Sequence, residues 1–180
     1  SSLSSGDYSQ LSSLVRELME DYQGCGVGIS LPSLRLDSFG VELAQEIQKT
    51  RKTGLTFAPE AGTQRLRDVI NKNVTDEDLR QVVQGAFSAG WYGIKLYFMI
   101  GLPTETQEDL DGIINLAHQV VAWGKEYGTS PRLPEVTISV ASFVPKPHTP
   151  FQWMAQDSME TLQTKLKYLR DRLRQPGIRF

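Results

Sequence analysis

Apolar residues recur along the chain in two alternating rhythms. Leu11, Leu14, Val15, Leu18, Met19 and Tyr22 follow the i, i+3, i+4, i+7 spacing of one helix face, and Leu79, Val82, Val83, Ala86 and Phe87 repeat it. Leu110, Ile113, Ile114, Ala117, Val120 and Val121 predict a third helix, and Leu162, Leu166, Leu169 and Leu173 a fourth. Thr75 and Asp78 stand at capping-box spacing ahead of the second helix, and Asp157 and Glu160 at cap spacing ahead of the fourth. A weaker helix is expected over residues 38–50, and a short one after Thr63.

Between these segments lie short apolar runs bounded by Gly or Pro: GVGISL (26–31), GLTFA (54–58), IKLYFMI (94–100) and EVTISVASFV (135–144), with SSLSS (1–5) as the tail of another. They are too short for helices, and several read as apolar on both faces, as buried parallel strands do. Strand and helix therefore alternate about five times, which predicts an α/β protein with a parallel sheet. An open doubly wound sheet would carry a Gly-rich phosphate loop after an early strand; G-x-G-x-x-G is absent, and GCGVG (24–28) precedes a strand instead of opening a helix.

The alternative is a partial (β/α) barrel of the TIM type, about five βα units of parallel strands, which puts its chemistry on the loops after each strand. Those loops are the unusual ones here: SGDYS (5–9), LPSLRLDS (31–38), APEAGTQR (58–65), GLPTETQED (101–109) and VPKPHTPF (144–151). The opposite ends, QKTRKTG (48–54) and SAGWYG (88–93), are plain connectors. The asymmetry places a site at one end of the sheet.

Composition narrows what that site can be. The 180 residues are 39% hydrophobic and 22% charged, as in a globular domain with a sizeable core, and the formal net charge is -2. That balance argues against a broad nucleic-acid surface. No apolar run is long enough to span a membrane and no signal peptide is visible. Cys25 is the single cysteine, so an internal disulfide and a cysteine-held cluster or structural zinc within this chain alone are excluded. His118 and His148 are far apart in sequence, so a metal held by protein ligands would need carboxylates. The chain begins at Ser1 on what reads as a strand end, and is expected to be a piece of something longer.

Several residues carry two readings. Glu60 is a turn residue or a ligand, and Glu105 is a cap against the next helix dipole or a ligand. Asp7 suits the N-cap of a helix starting near Ser9 and equally a ligand, and the two are compatible. Arg35 is a surface ion-pairing residue or a carboxylate binder, and Met99 a core residue or an apolar shelf. Cys25 reads as a small buried hydrophobe and His118 as structural, while His148 reads as exposed. The basic run KLKYLRDRLR (165–174) reads as the solvated face of the last helix.

Four strand-end segments resemble one family. SSGD (4–7), PEAGTQRLRDVINKNVT (59–75), FMIGLPTETQEDL (98–110) and FVPKPHTPFQ (143–152) are similar, in that order, to joints of the radical S-adenosylmethionine (SAM) superfamily, over nearly the whole chain. The last three look most like its methylthiotransferase-like branch, and the wording of LPSLRLDSFG and FAPEAGTQRLR like members that carry a cobalamin-binding-like domain. The resemblance implies that residues 1–180 form strands two to six of a core barrel from a cytoplasmic iron-sulfur enzyme. That enzyme would hold SAM against a [4Fe-4S] cluster and reductively cleave it to a 5'-deoxyadenosyl radical.

By position, the resemblance places Gly6 and Asp7 at the methionine amino group, and Glu60, with Arg65 or a nearby polar group, at the ribose or carboxylate. It lines the adenine with Met99, Ile100 and Gly101 and with the backbone of Phe143 and Val144. Arg35 is the other cation offered to the carboxylate. SAM, with an ammonium, a carboxylate, two hydroxyls and a flat base, needs such a set. The family's Cys-x-x-x-Cys-x-x-Cys loop is missing, so this chain alone is expected to be inactive, with the cluster ligands elsewhere in a parent protein. The rival readings are an ordinary (β/α) barrel for a small anionic metabolite and a degenerate barrel acting as a binding module. Substrate and any cobalamin role stay open, no membrane is involved, nucleic acid is not favoured, and an exposed sheet edge could pair with a second copy.

Overall fold

Each helix of the computed structural model, which describes residues 8–22, 25 and 55–180, begins where the chain can satisfy its free N–H groups. Helix α1 (Leu11–Asp21) is the exception. Its N-cap is Gln10 with no side-chain cap bond, so the helix starts at Leu11, slightly later than the start near Ser9 that the sequence suggests. Helix α2 (Gln64–Val69) grows from Thr63, whose hydroxyl accepts from the Leu66 amide at 3.2 Å. Helix α3 (Asp76–Ser88) carries the expected box: the Thr75 amide donates to Asp78 at 2.8 Å and the Asp78 amide to the Thr75 hydroxyl at 3.1 Å. The bonds from the Thr75 amide and hydroxyl hold the Asp78 carboxyl below the usual carboxylate range.

Helix α4 (Gln107–Tyr127) starts from Thr106, whose amide donates to Asp109 at 2.7 Å. Helix α5 (Met159–Arg172) is capped by Ser158, which accepts from the Thr161 amide at 3.1 Å. The cap is therefore not the Asp157–Glu160 pair, because Lys165 draws the Asp157 carboxylate away at 2.6 Å.

Strands β1 (Leu55–Glu60), β2 (Gly93–Ile100), β3 (Glu135–Ser142) and β4 (Ile178–Arg179) form a parallel sheet in the order β1-β2-β3-β4. Parallel neighbours in chain order, joined by helical crossovers, make an arc of a (β/α) barrel. The three longer strands fall where the apolar runs predict them. Two-residue β4 is too short to show a period in sequence, and its pairing Val136↔Ile178 is read only from the fold. The strands and helix expected at 1–5, 26–31 and 38–50 lie outside the described residues.

One face of the sheet is covered. Ile94, Leu96, Phe98 and Ile100 of β2 enter a core with Val83, Phe87, Ile113, Ala117 and Val120 from α3 and α4. The expectation of strands apolar on both faces fails for β2. Lys95, Tyr97 and Met99 alternate onto the opposite face, and β2 is buried only at every second residue. In a barrel arc the helices cover the convex face, and the concave face is free to carry polar groups. Cys25 also departs from expectation: it is an exposed turn residue, beyond the core that would have sheltered a small apolar side chain.

The turn after β1 is seated directly on α4. A methyl group at Gly62 would fall 2.7 Å from the Gly112 carbonyl carbon, and one at Gly112 would fall 2.6 Å from the Gly62 carbonyl oxygen. Two glycines meeting backbone to backbone bring the turn after β1 against the second turn of α4.

Candidate functional site

The ends of β1, β2 and β3 are built as joints, each with its own lock. In β1 the register with β2 slips between Phe57 and Glu60, so Pro59, with no N–H to donate, sits in the irregularity. Glu60 emerges at φ +68, a left-handed conformation that costs a non-glycine residue about 1–3 kcal/mol unless the surroundings fix it. Its half-exposed carboxylate lies 3.6 Å from Lys72.

In β2 the chain turns at Gly101 (φ +74) and Thr104 (φ +66). The Gly101 amide donates to the Glu105 carboxylate at 2.9 Å, and the Glu105 amide donates back to the Leu102 carbonyl at 3.0 Å. Glu105 is 3% exposed at its side chain, and its other oxygen takes Lys165 at 2.6 Å. Glu105 thus closes its own turn, while the helix-capping role expected of it belongs to Asp109. Burial works to lower the Lys165 ammonium pKa, but the Asp157 and Glu105 carboxylates outweigh it and raise it. Glu105→Ala should cost about 2 kcal/mol in urea unfolding, with part of the loss regained when Lys165→Met removes the cation left behind.

In β3 the Phe143 amide donates to the Ile100 carbonyl at 2.8 Å, carrying strand pairing one residue past the strand. The Phe143 and Phe151 rings meet edge-on with centroids 6.2 Å apart. Phe143 packs with Ala61, Leu66 and Leu102, and Met99 leans half-buried against this cluster, which joins all three strand ends.

The chain of bonds between the first two joints has Asp109 at its centre. Its buried carboxylate accepts from the Thr63 hydroxyl, from the Arg65 guanidinium and from the Thr106 amide and hydroxyl. Burial disfavours the charge, but the bonds from Thr63, Thr106 and Arg65 prevail and hold the Asp109 carboxyl below the usual range. Arg65 also reaches the Thr104 carbonyl at 2.9 Å, so it staples the two loops together. Arg67, 1% exposed, fills the same role inside: it bonds the Val74 and Ala61 carbonyls at 3.0 and 3.1 Å and pairs with Asp76.

The structure therefore gathers Glu60, Arg65, Met99, Ile100, Gly101, Phe143 and Val144 on three adjacent strand ends. Gly6, Asp7 and Arg35 lie outside the described residues. The gathered groups differ in what they leave free. Ile100 buries its side chain in the helix-side core and its carbonyl already accepts Phe143. Val144 is exposed, and Glu60 keeps a half-exposed carboxylate. His148 is exposed, as its Pro-rich loop suggests, and turns at φ +61. His118 leaves a buried Nε2 with no hydrogen-bond partner among the described residues. Asp109 and Arg67 were not singled out by sequence; the spacing Thr106-x-x-Asp109 was the available signal for the first, and none existed for the second.

The residues at these strand ends include the types a nucleoside-bearing ligand calls for, a half-exposed carboxylate at Glu60 and a half-buried apolar side chain at Met99. They do not fit an iron-sulfur cluster. The chain has one cysteine, and no group of three or more His, Cys, Asp or Glu among the described residues is placed to hold a metal. No helix among the described residues is long and apolar enough to cross a membrane.

Comparison with known proteins bears on the same residues. The family model of the radical SAM superfamily matches residues 3–117, across the first two of these joints. An uncharacterized protein of Methanocaldococcus jannaschii is 37% identical over 174 residues, which is 97% of this chain and 35% of that protein. The chain thus spans about a third of the length of this relative. A match over more than half of the chain, falling on a parallel β/α arc whose strand ends carry the joints described, shows that the chain belongs to the radical SAM superfamily.

Proposed function

We propose that the chain supplies strands two to six of the core barrel of a radical SAM iron-sulfur enzyme and holds much of its SAM. The observation that carries this is the convergence of Glu60, Met99, Gly101 and Val144 on adjacent parallel strand ends, joined by one apolar cluster. Glu60 would accept a hydrogen bond from a ribose hydroxyl. Met99 and the Gly101 turn would face the adenine, with the Val144 backbone at its edge. Gly6 and Asp7 would meet the methionine ammonium, and Arg35 its carboxylate. Arg65 is already engaged with Asp109 and Thr104, so its role is to position the loops.

SAM, bound beside a [4Fe-4S] cluster, supplies the radical chemistry of this superfamily. The cluster's ligands belong to other parts of a longer protein, a reading supported by the single cysteine here and by the 35% coverage of the archaeal relative. The methylthiotransferase-like branch is supported by the Gly101–Thr106 turn sequence, and a cobalamin-associated subgroup by LPSLRLDSFG.

Calorimetric titration of this chain with SAM tests the reading. Saturable binding is expected, and Glu60→Gln should weaken it by about tenfold, the loss of one charge-assisted hydrogen bond. Equal affinity for both proteins would remove Glu60 from the site, and no binding by either would favour a barrel for another metabolite.

A further inference from the structure

The concave face of the sheet carries a second patch, apart from the strand ends. Thr56, Lys95 and Thr137 are register partners across β1, β2 and β3, and Tyr97 pairs with Ser139 one layer nearer the loops. The Lys95 ammonium lies over the Tyr97 ring, 4.5 Å from its centroid, and Tyr97 is 38% exposed. Among the described residues Lys95 has no carboxylate partner, and Thr56, Tyr97, Thr137 and Ser139 have no side-chain hydrogen bond.

That is an unusual economy for the central strand of a sheet. Lys95 is half-buried while Thr56 and Tyr97 are exposed, so the patch is open to a solute, and an ammonium set on a sheet face without a counter-ion favours an anionic one. The ring under Lys95 offers a weak cation–π contact but takes none of its three N–H bonds. The other groups on these two layers are hydroxyls, able to donate, and Arg179 of β4, the register partner of Thr137, which is already engaged with Glu135 at 2.9 Å; among the described residues no acidic side chain stands on either layer. Donors without acceptors, arranged around one cation, complement an oxyanion.

We infer that this patch seats an oxyanion of the substrate, a carboxylate or a phosphate, with Lys95 as its counter-ion and Tyr97, Thr137 and Ser139 as hydroxyl donors. The inference rests on the SAM reading only in calling the owner of that anion the substrate. The patch sits below the strand ends, so a molecule anchored there would extend up toward Met99 and the joints.

The test follows amide NMR shifts of the isotopically labelled chain during titration with methyl phosphate, with acetate and with choline as a cationic control. Saturable shifts centred on Lys95, Tyr97, Thr137 and Ser139 are expected with at least one anion and not with choline, and the tighter anion tells phosphate from carboxylate. Lys95→Gln should raise that Kd by about tenfold or more, and Lys95→Arg should keep it within about threefold. Tyr97→Phe, which keeps the ring, should weaken binding severalfold and carries the comparison if Lys95→Gln does not fold. Absence of saturable shifts with either anion, or the same Kd in Lys95→Gln, overturns the inference. A SAM titration of the same proteins separates the two readings. SAM binding with no anion binding sinks this inference alone. Anion binding without SAM binding leaves the patch standing and sinks the SAM reading.

Discussion

Gly62→Ala should destabilise the protein by at least about 3 kcal/mol, although it adds one methyl group to an ordinary turn. The added carbon would lie 2.7 Å from the Gly112 carbonyl carbon and closer still to the Asp109 carbonyl and the Ile113 amide. All three obstacles are backbone of α4, so no rotamer change relieves the clash. Either the turn after β1 lifts away from the helix, or α4 shifts against the core that Ile113 and Ala117 share with β2. Lifting the turn would also draw Thr63 and Arg65 away from Asp109, so SAM affinity should fall with stability. Gly93→Ala is the control, since a methyl group there meets nothing nearer than 4.0 Å. It should change stability by no more than about 1 kcal/mol, in the stabilising direction if the loss of glycine freedom in the unfolded chain dominates. Urea unfolding of the two variants side by side reads the difference, and equal midpoints would refute the close-approach account.

The contrast between these glycines marks the limit of what sequence makes legible here. The strands at 55–60, 93–100 and 135–142 and the helices on Leu79, Leu110 and Leu162 announce themselves by period, because each buries one face and the spacing of apolar residues is the imprint of that burial. The Thr75–Asp78 box is legible for a similar reason: both partners are local. What stays hidden is set by tertiary approach. Nothing in PEAGTQR tells that its glycine meets Gly112, fifty positions on, or that Arg67 turns inward to Val74 and Ala61. Glu105 reads in sequence as a helix cap or a ligand, but its partners, Gly101 and Lys165, show that it locks the turn itself and not the helix. The run IKLYFMI reads as uniformly apolar because Tyr and Met count as hydrophobic, and Lys95 alone hints at the polar face. The strand-end residues are legible through the family's pattern; their junction by Asp109 is not, since a carboxylate that binds across a 46-residue separation leaves no periodic trace.

Asp109 carries the other large effect. Asp109→Ala removes the acceptor for four hydrogen bonds from Thr63, Arg65 and Thr106 and should cost about 4 kcal/mol, less than the sum of four charge-assisted bonds because Arg65 and the Thr106 hydroxyl can turn to water. Asp109→Asn keeps the shape but loses the charge and should cost about 2 kcal/mol. The two substitutions also predict a pH signature. Because the folded protein holds this carboxyl below its ordinary value of 3.8, its charge contributes stability that is fully present above that value. The contribution is lost as pH falls through the lowered folded value, when the native state also binds the proton. The wild-type advantage over Asp109→Asn should therefore be flat from neutral pH down to about 4 and shrink below it. Urea midpoints of both proteins from pH 7 to the acid limit of folding check this. A gap that widens toward low pH would mean that burial, and not the bonds from Thr63, Thr106 and Arg65, governs this carboxyl. A gap that is absent at neutral pH would mean that the junction does not hold the β1 and β2 joints together.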